Sequence, residues 1–173
     1  MNKQSDNIKE INDAWLNLNI DESKIVNPFS VQTEEEFTTK LTWLMTNPEY
    51  FSFICKEVLN IDLLPTQALM LREMWNRKFP MLIASRGFGK SFILSVYAIL
   101  RALLMPGRKV IIVGAAFRQS KILFEYMDGI WRNSPILRDI VGGSGGPRRG
   151  VDMCRLTIGD STVTCLPLGD GSK

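Results

Sequence analysis

The sequence contains no histidine. That removes histidine general bases, histidine-centred triads and almost every common zinc constellation. Its three cysteines, Cys55, Cys154 and Cys165, have neither the even count nor the close spacing of a disulfide scaffold or a metal knuckle, so reduced thiols are expected. No apolar run reaches the roughly 20 residues that a bilayer needs, since the stretch from Phe92 to Met105 is shorter and carries Arg101. The first ten residues lack the apolar centre of a secretion signal. No low-complexity tract or fixed-period repeat is present. These absences point to a soluble, intracellular protein whose chemistry runs on carboxylates, lysine, arginine and bound metal.

What remains is ordinary globular material: 173 residues, 45% hydrophobic and 23% charged. The net charge of +3 conceals an asymmetry. Residues 1–60 hold 5 Lys or Arg against 10 Asp or Glu, whereas residues 61–173 hold 16 against 8. Such a division suggests two units with different partners, a helical subdomain over 1–60 and a basic, phosphate-handling domain over 61–173.

Periodicity supports the division. Ile8, Ile11, Trp15 and Leu18 recur at helical spacing, and Asp21 to Pro28 is a polar, turn-rich linker. Thr33 with Glu36 forms a capping box that opens a helix with Phe37, Leu41 and Leu44 on one face. Asn47 and Pro48 end it, and a further helix runs through Phe51, Ile54 and Val58. From Pro65 the pattern alternates: a helix to about Asn76, a strand over Met81–Ala84, a helix over Ser91–Met105, a strand over Val110–Val113 and a helix over Phe117–Arg132. Strands alternating with helices predict an α/β fold with a mostly parallel sheet. Gly142–Gly150 is expected to be a flexible basic loop in which Arg148 and Arg149 are candidates for phosphate contact. Beyond it the period changes to two. A two-residue turn at Gly159–Asp160 would place Ile158 opposite Ser161, Leu156 opposite Val163 and Cys154 opposite Cys165.

The strongest local signal is Ala84-Ser85-Arg86-Gly87-Phe88-Gly89-Lys90-Ser91, between an expected strand and an expected helix. A phosphate-binding loop needs backbone N–H groups that converge on phosphate oxygens, glycine where a side chain would block approach, and a helix N-terminus. Gly87 and Gly89 meet that need. Lys90 is placed to reach the β and γ phosphates of ATP, and the Ser91 hydroxyl to bind Mg²⁺. Ala84 replaces the glycine that usually opens the motif. Arg86, a second cation inside the loop, has the chemistry to stabilise charge on a transferring phosphoryl group.

A phosphate loop with an arginine two residues after its small leading residue, a glutamine-bearing helix ahead of it and a strand and helix behind it resembles the large terminase subunit of tailed bacteriophages. The similarity extends over about residues 50–173, through Val110–Phe124 and the final hairpin. It implies a P-loop NTPase of the RecA-like (ASCE) type, a three-layer α/β/α fold behind an N-terminal helical subdomain. It further implies Gln67 as a contact to adenine, Arg86 as a cis arginine finger, Lys90 as the phosphate lysine and Ser91 as the Mg²⁺ ligand. Members of that family form a ring on the portal protein, work with a small terminase subunit in the cytoplasm of an infected bacterium, and drive double-stranded DNA into a procapsid without any membrane.

One expected part is missing. Hydrolysis in such a fold uses an apolar strand ending in acidic residues, and none follows Ser91, so the chain is expected to stop short of it and to hydrolyse ATP poorly alone. Glu125 and Asp128 fit a solvated helix face. Two other readings remain open: a helicase or DNA-dependent translocase of related fold, and a non-catalytic nucleotide-binding assembly module.

Overall fold

The computed structural model describes residues 33–142 and 145–168. The helix expected around Ile8–Leu18, the linker over 21–28 and the glycines at 143 and 144 lie outside the described residues. The chain divides into two compact units between Leu41 and Thr42. In the first, Thr33 Oγ1 accepts the N–H of Glu36 at 3.2 Å and opens α1, Glu34–Thr46, whose last turn belongs to the second. This is the N-cap half of the expected capping box. Three glutamates in the first turn complement the positive end of the helix dipole.

The second unit is α/β. After a 3₁₀ turn over Pro48–Tyr50 come α2 (Phe51–Glu57), α3 (Pro65–Asn76), α4 (Lys90–Leu104), β1 (Lys109–Gly114), α5 (Phe117–Asn133), α6 (Pro135–Val141), β2 (Gly146–Arg149), β3 (Cys154–Ile158) and β4 (Ser161–Pro167). The boundary expected near residue 60 falls inside one core: Phe51, Ile54, Cys55 and Leu59 pack in the same buried cluster as Leu71, Ile93 and Ile99.

Helix α4 is apolar on nearly all sides, as a central helix must be. It is tied to both neighbours. Ser95 Oγ donates to the carbonyl of Leu123 in α5 at 2.9 Å, and Arg101 donates to the carbonyl of Trp75 in α3 at 3.1 Å while its guanidinium lies 3.9 Å from the Trp75 ring centre.

The sheet has the order β1-β4-β3-β2. It is mixed, not mostly parallel: β1 pairs with β4 in parallel, while β3–β4 and β2–β3 are antiparallel. The physical reason is the tight turn at Gly159–Asp160, which can only return the chain antiparallel. The hairpin register is the expected one, with Ile158 opposite Ser161, Leu156 opposite Val163 and Cys154 opposite Cys165.

Two further expectations are corrected. Met81–Ala84 has no regular secondary structure and belongs to no ladder, and Met81 and Ile83 are 85% and 86% exposed. A short apolar run signals a buried strand only where a neighbouring strand is available, and none lies beside it among the described residues. The basic loop over 142–150 contains strand β2, whose residues 146–149 pair with 154–157. Its first residue, Gly146, has φ +98°, and an added Cβ there would lie 3.3 Å from the indole of Trp131. A side chain at this position meets both a backbone penalty and a steric one.

Candidate nucleotide site

The loop from Ala84 to Gly89 leads into the N-terminus of α4. Gly87 and Gly89 have φ +81° and +83°, in the left-handed region that L side chains rarely adopt. Gly89 caps α4, and its carbonyl accepts the N–H of Ile93 at 3.0 Å. The helix therefore begins at Lys90 with its first free N–H groups directed toward the loop, the arrangement that suits an anion.

Lys90 folds back across that loop. Its Nζ donates to the carbonyls of Ala84 at 2.7 Å and Ser85 at 2.5 Å. An ammonium has three donors, so one is left beyond these two carbonyls. Arg86 is exposed and, among the described residues, has neither an acidic nor a hydrogen-bonding partner. Ser91 sits in the first turn of α4, half-buried.

Gln67 is brought to the same place from α3. Its Oε1 accepts the backbone N–H of Leu64 at 3.1 Å, which caps the start of that helix. Its Nε2 lies against the loop, where a Cβ added at Gly89 would come within 3.1 Å. Glycine at 89 is thus favoured by its backbone angle, and a side chain there would also press on the Gln67 amide. Ala84, Ser85, Gly89, Lys90 and Gln67 form one cluster, with Arg86 and Phe88 exposed on its rim.

Two grooves lie elsewhere, one of about 400 Å³ between α4 and β1 and another of about 460 Å³ between α3 and Phe79–Leu82, both predominantly apolar in their lining. Backbone N–H groups bind phosphate without an apolar cavity. Among the described residues no cluster of three or more acidic or thiol side chains could hold a metal ion, so a cation here would depend on Ser91 and on the phosphates it accompanies. No helix among the described residues is long and apolar enough to cross a membrane.

Sequence reasoning misplaced one polar cluster. Asp128 is buried within α5, not solvated: it is 4% exposed and takes Arg132 Nη2 at 3.0 Å and a close ion pair from Arg149 of β2. The hydrogen bond and charge of Asp128 raise the pKa of Arg149 above the ordinary arginine value. Arg149 thereby links β2 to α5. The spacing held a clue, because Asp128 lies four residues after the buried Phe124 and so falls on the apolar face of the helix.

Comparison with protein-family models, with curated proteins and with solved structures returns no significant match.

Proposed function

We propose that this chain binds ATP with Mg²⁺ at Ala84–Ser91 and is the nucleotide-binding part of a viral DNA-packaging ATPase. The observation that carries the reading is the loop itself. Two left-handed glycines precede a helix of 15 residues that opens on Lys90 and Ser91, and Gln67 reaches the loop from a separate helix.

On this reading the free N–H groups of the α4 N-terminus hold phosphate oxygens. Lys90 exchanges its contacts with the Ala84 and Ser85 carbonyls for the β and γ phosphates, and the Ser91 hydroxyl holds Mg²⁺. Bound Mg²⁺ neutralises phosphate charge during transfer. Arg86, without a competing acid among the described residues, supplies the second positive charge at the γ phosphate. The four-stranded sheet is then a portion of a three-layer RecA-like (ASCE) α/β/α fold, with the edge of β1 that has no partner among the described residues as a place for a further strand to add. The resemblance to the large terminase subunit suggests the partners: double-stranded DNA, the portal protein, a small terminase subunit and other copies in a ring, within the bacterial cytoplasm.

A motor must couple its two ligands, so ATP has to change the affinity for DNA. The test is anisotropy of a labelled duplex titrated with the protein, with and without Mg²⁺ and a slowly hydrolysed ATP analogue. The expected shift in DNA affinity is about fivefold or more, lost in Lys90→Ala. Duplex affinity that ignores the nucleotide contradicts the motor reading.

A further inference from the structure

The side-chain amide of Gln67 is held at its oxygen end and faces the phosphate loop with its nitrogen, and this limits what it can recognise. Its carbonyl oxygen accepts the Leu64 N–H at 3.1 Å. Its nitrogen lies at Gly89 and, among the described residues, has no acceptor. Because a backbone N–H can only donate, the atom facing Leu64 must be the oxygen and the atom facing the loop must be the nitrogen. The two polar ends of the amide thus point toward different elements, one toward the cap of α3 and the other toward the phosphate loop.

Selective recognition of adenine by an amide needs both ends on one edge of the base, the oxygen accepting from N6–H and the nitrogen donating to N7. Guanine presents acceptors at both corresponding positions, O6 and N7. A glutamine that offers only its N–H cannot tell the two purines apart.

We propose that Gln67 meets the bound nucleotide as a hydrogen-bond donor only, so that this site takes ATP and GTP alike. The inference rests on the nucleotide-site reading above. The acceptor it engages is either purine N7 or a phosphate oxygen, and the Leu64 N–H is the group that withholds adenine selectivity.

The test is displacement of a ribose-labelled fluorescent ADP from the whole chain by ATP, GTP, CTP and inorganic triphosphate. ATP and GTP should compete within about threefold of each other, since a bidentate contact worth tenfold or more is missing. Gln67→Glu keeps an acceptor for Leu64 N–H and removes the donor, so its melting temperature should hold while nucleotide affinity falls. A fall for ATP and GTP but not CTP assigns N7 as the acceptor. An equal fall for all three and for triphosphate assigns a phosphate oxygen.

Leu64→Pro supplies the converse. Leu64 has φ −64°, which suits proline, and its side chain is exposed, so the substitution removes little beyond the N–H. With the carbonyl released, ATP should gain about tenfold over GTP. A wild-type preference for ATP of tenfold or more, unchanged binding in Gln67→Glu, or an unaltered ATP-to-GTP ratio in Leu64→Pro overturns the proposal. A chain that binds no nucleotide, or binds it equally well as Lys90→Ala, removes the underlying site reading as well, and the wild type and the Lys90 variant recognise those results without either the Gln67 or the Leu64 variant.

Discussion

Arg149 of β2 closes an ion pair with Asp128 of α5, and the same carboxylate receives Arg132 from one helical turn away at 3.0 Å. The acid is buried and both arginines are largely exposed, so one carboxylate joins the edge of the sheet to the helix that covers it. Asp128→Asn keeps the shape but removes the charge, leaving two guanidinium groups with weakened partners. It should lower the melting temperature by about 5 °C, whereas Arg149→Ala should cost less because Asp128 retains Arg132. Thermal melts of the two variants and their combination check this, and equal effects for both would contradict it.

Gly89→Ala should be costly for two separable reasons. A left-handed backbone costs an L residue roughly 1–2 kcal/mol, and the new methyl meets Gln67 Nε2 at 3.1 Å. Gly129 provides the contrast, lying within α5 with no atom inside 4 Å of an added Cβ. Gly129→Ala should therefore stabilise by about 0.5–1 kcal/mol. Denaturant unfolding of the two variants should give shifts of opposite sign.

Alkaline pH should weaken the fold through two thiols. Burial pushes Cys55 up to about 12, and burial, with a smaller contribution from Cys154, pushes Cys165 up to about 12. A thiol whose pKa is raised by folding contributes fully below the unfolded value, about 9, and loses that contribution as pH rises toward 12. Between those values the unfolded chain releases protons that the folded one retains. Melts over this window should fall less steeply for Cys55→Ala than for the wild type, once each is normalised to its own value at pH 7.

The outer edge of β1 carries Ile111, 61% exposed, and Val113, half-exposed, with no strand beside it among the described residues. Exposed, uncharged, β-branched edges invite pairing with other strands. Ile111→Lys should reduce concentration-dependent light scattering and leave the melting temperature within a degree or two.

The parts of the fold legible in the sequence were those fixed locally. The turn at Gly159–Asp160 sets the β3–β4 register because pairing there follows from two residues, and Pro65 marks the start of α3 because it suits the first helical position. Met81–Ala84 was misread because an apolar run says nothing about whether a neighbouring strand exists. The Arg149–Asp128 ion pair was not legible for a similar reason: the two residues lie on different elements, and only the fold brings them together. At the site, the loop glycines and Lys90 were legible as a motif. The approach of the Gln67 amide to the loop was not, because it depends on the distance between two helices.

The central claim is that Ala84–Ser91 binds a nucleotide through Lys90. Titration calorimetry of ATP with Mg²⁺ into the wild-type chain and into Lys90→Ala measures it directly. The account predicts one site per chain in the wild type and a loss of about tenfold or more in the variant. No heat of binding in the wild type, or equal affinity in both proteins, would contradict it.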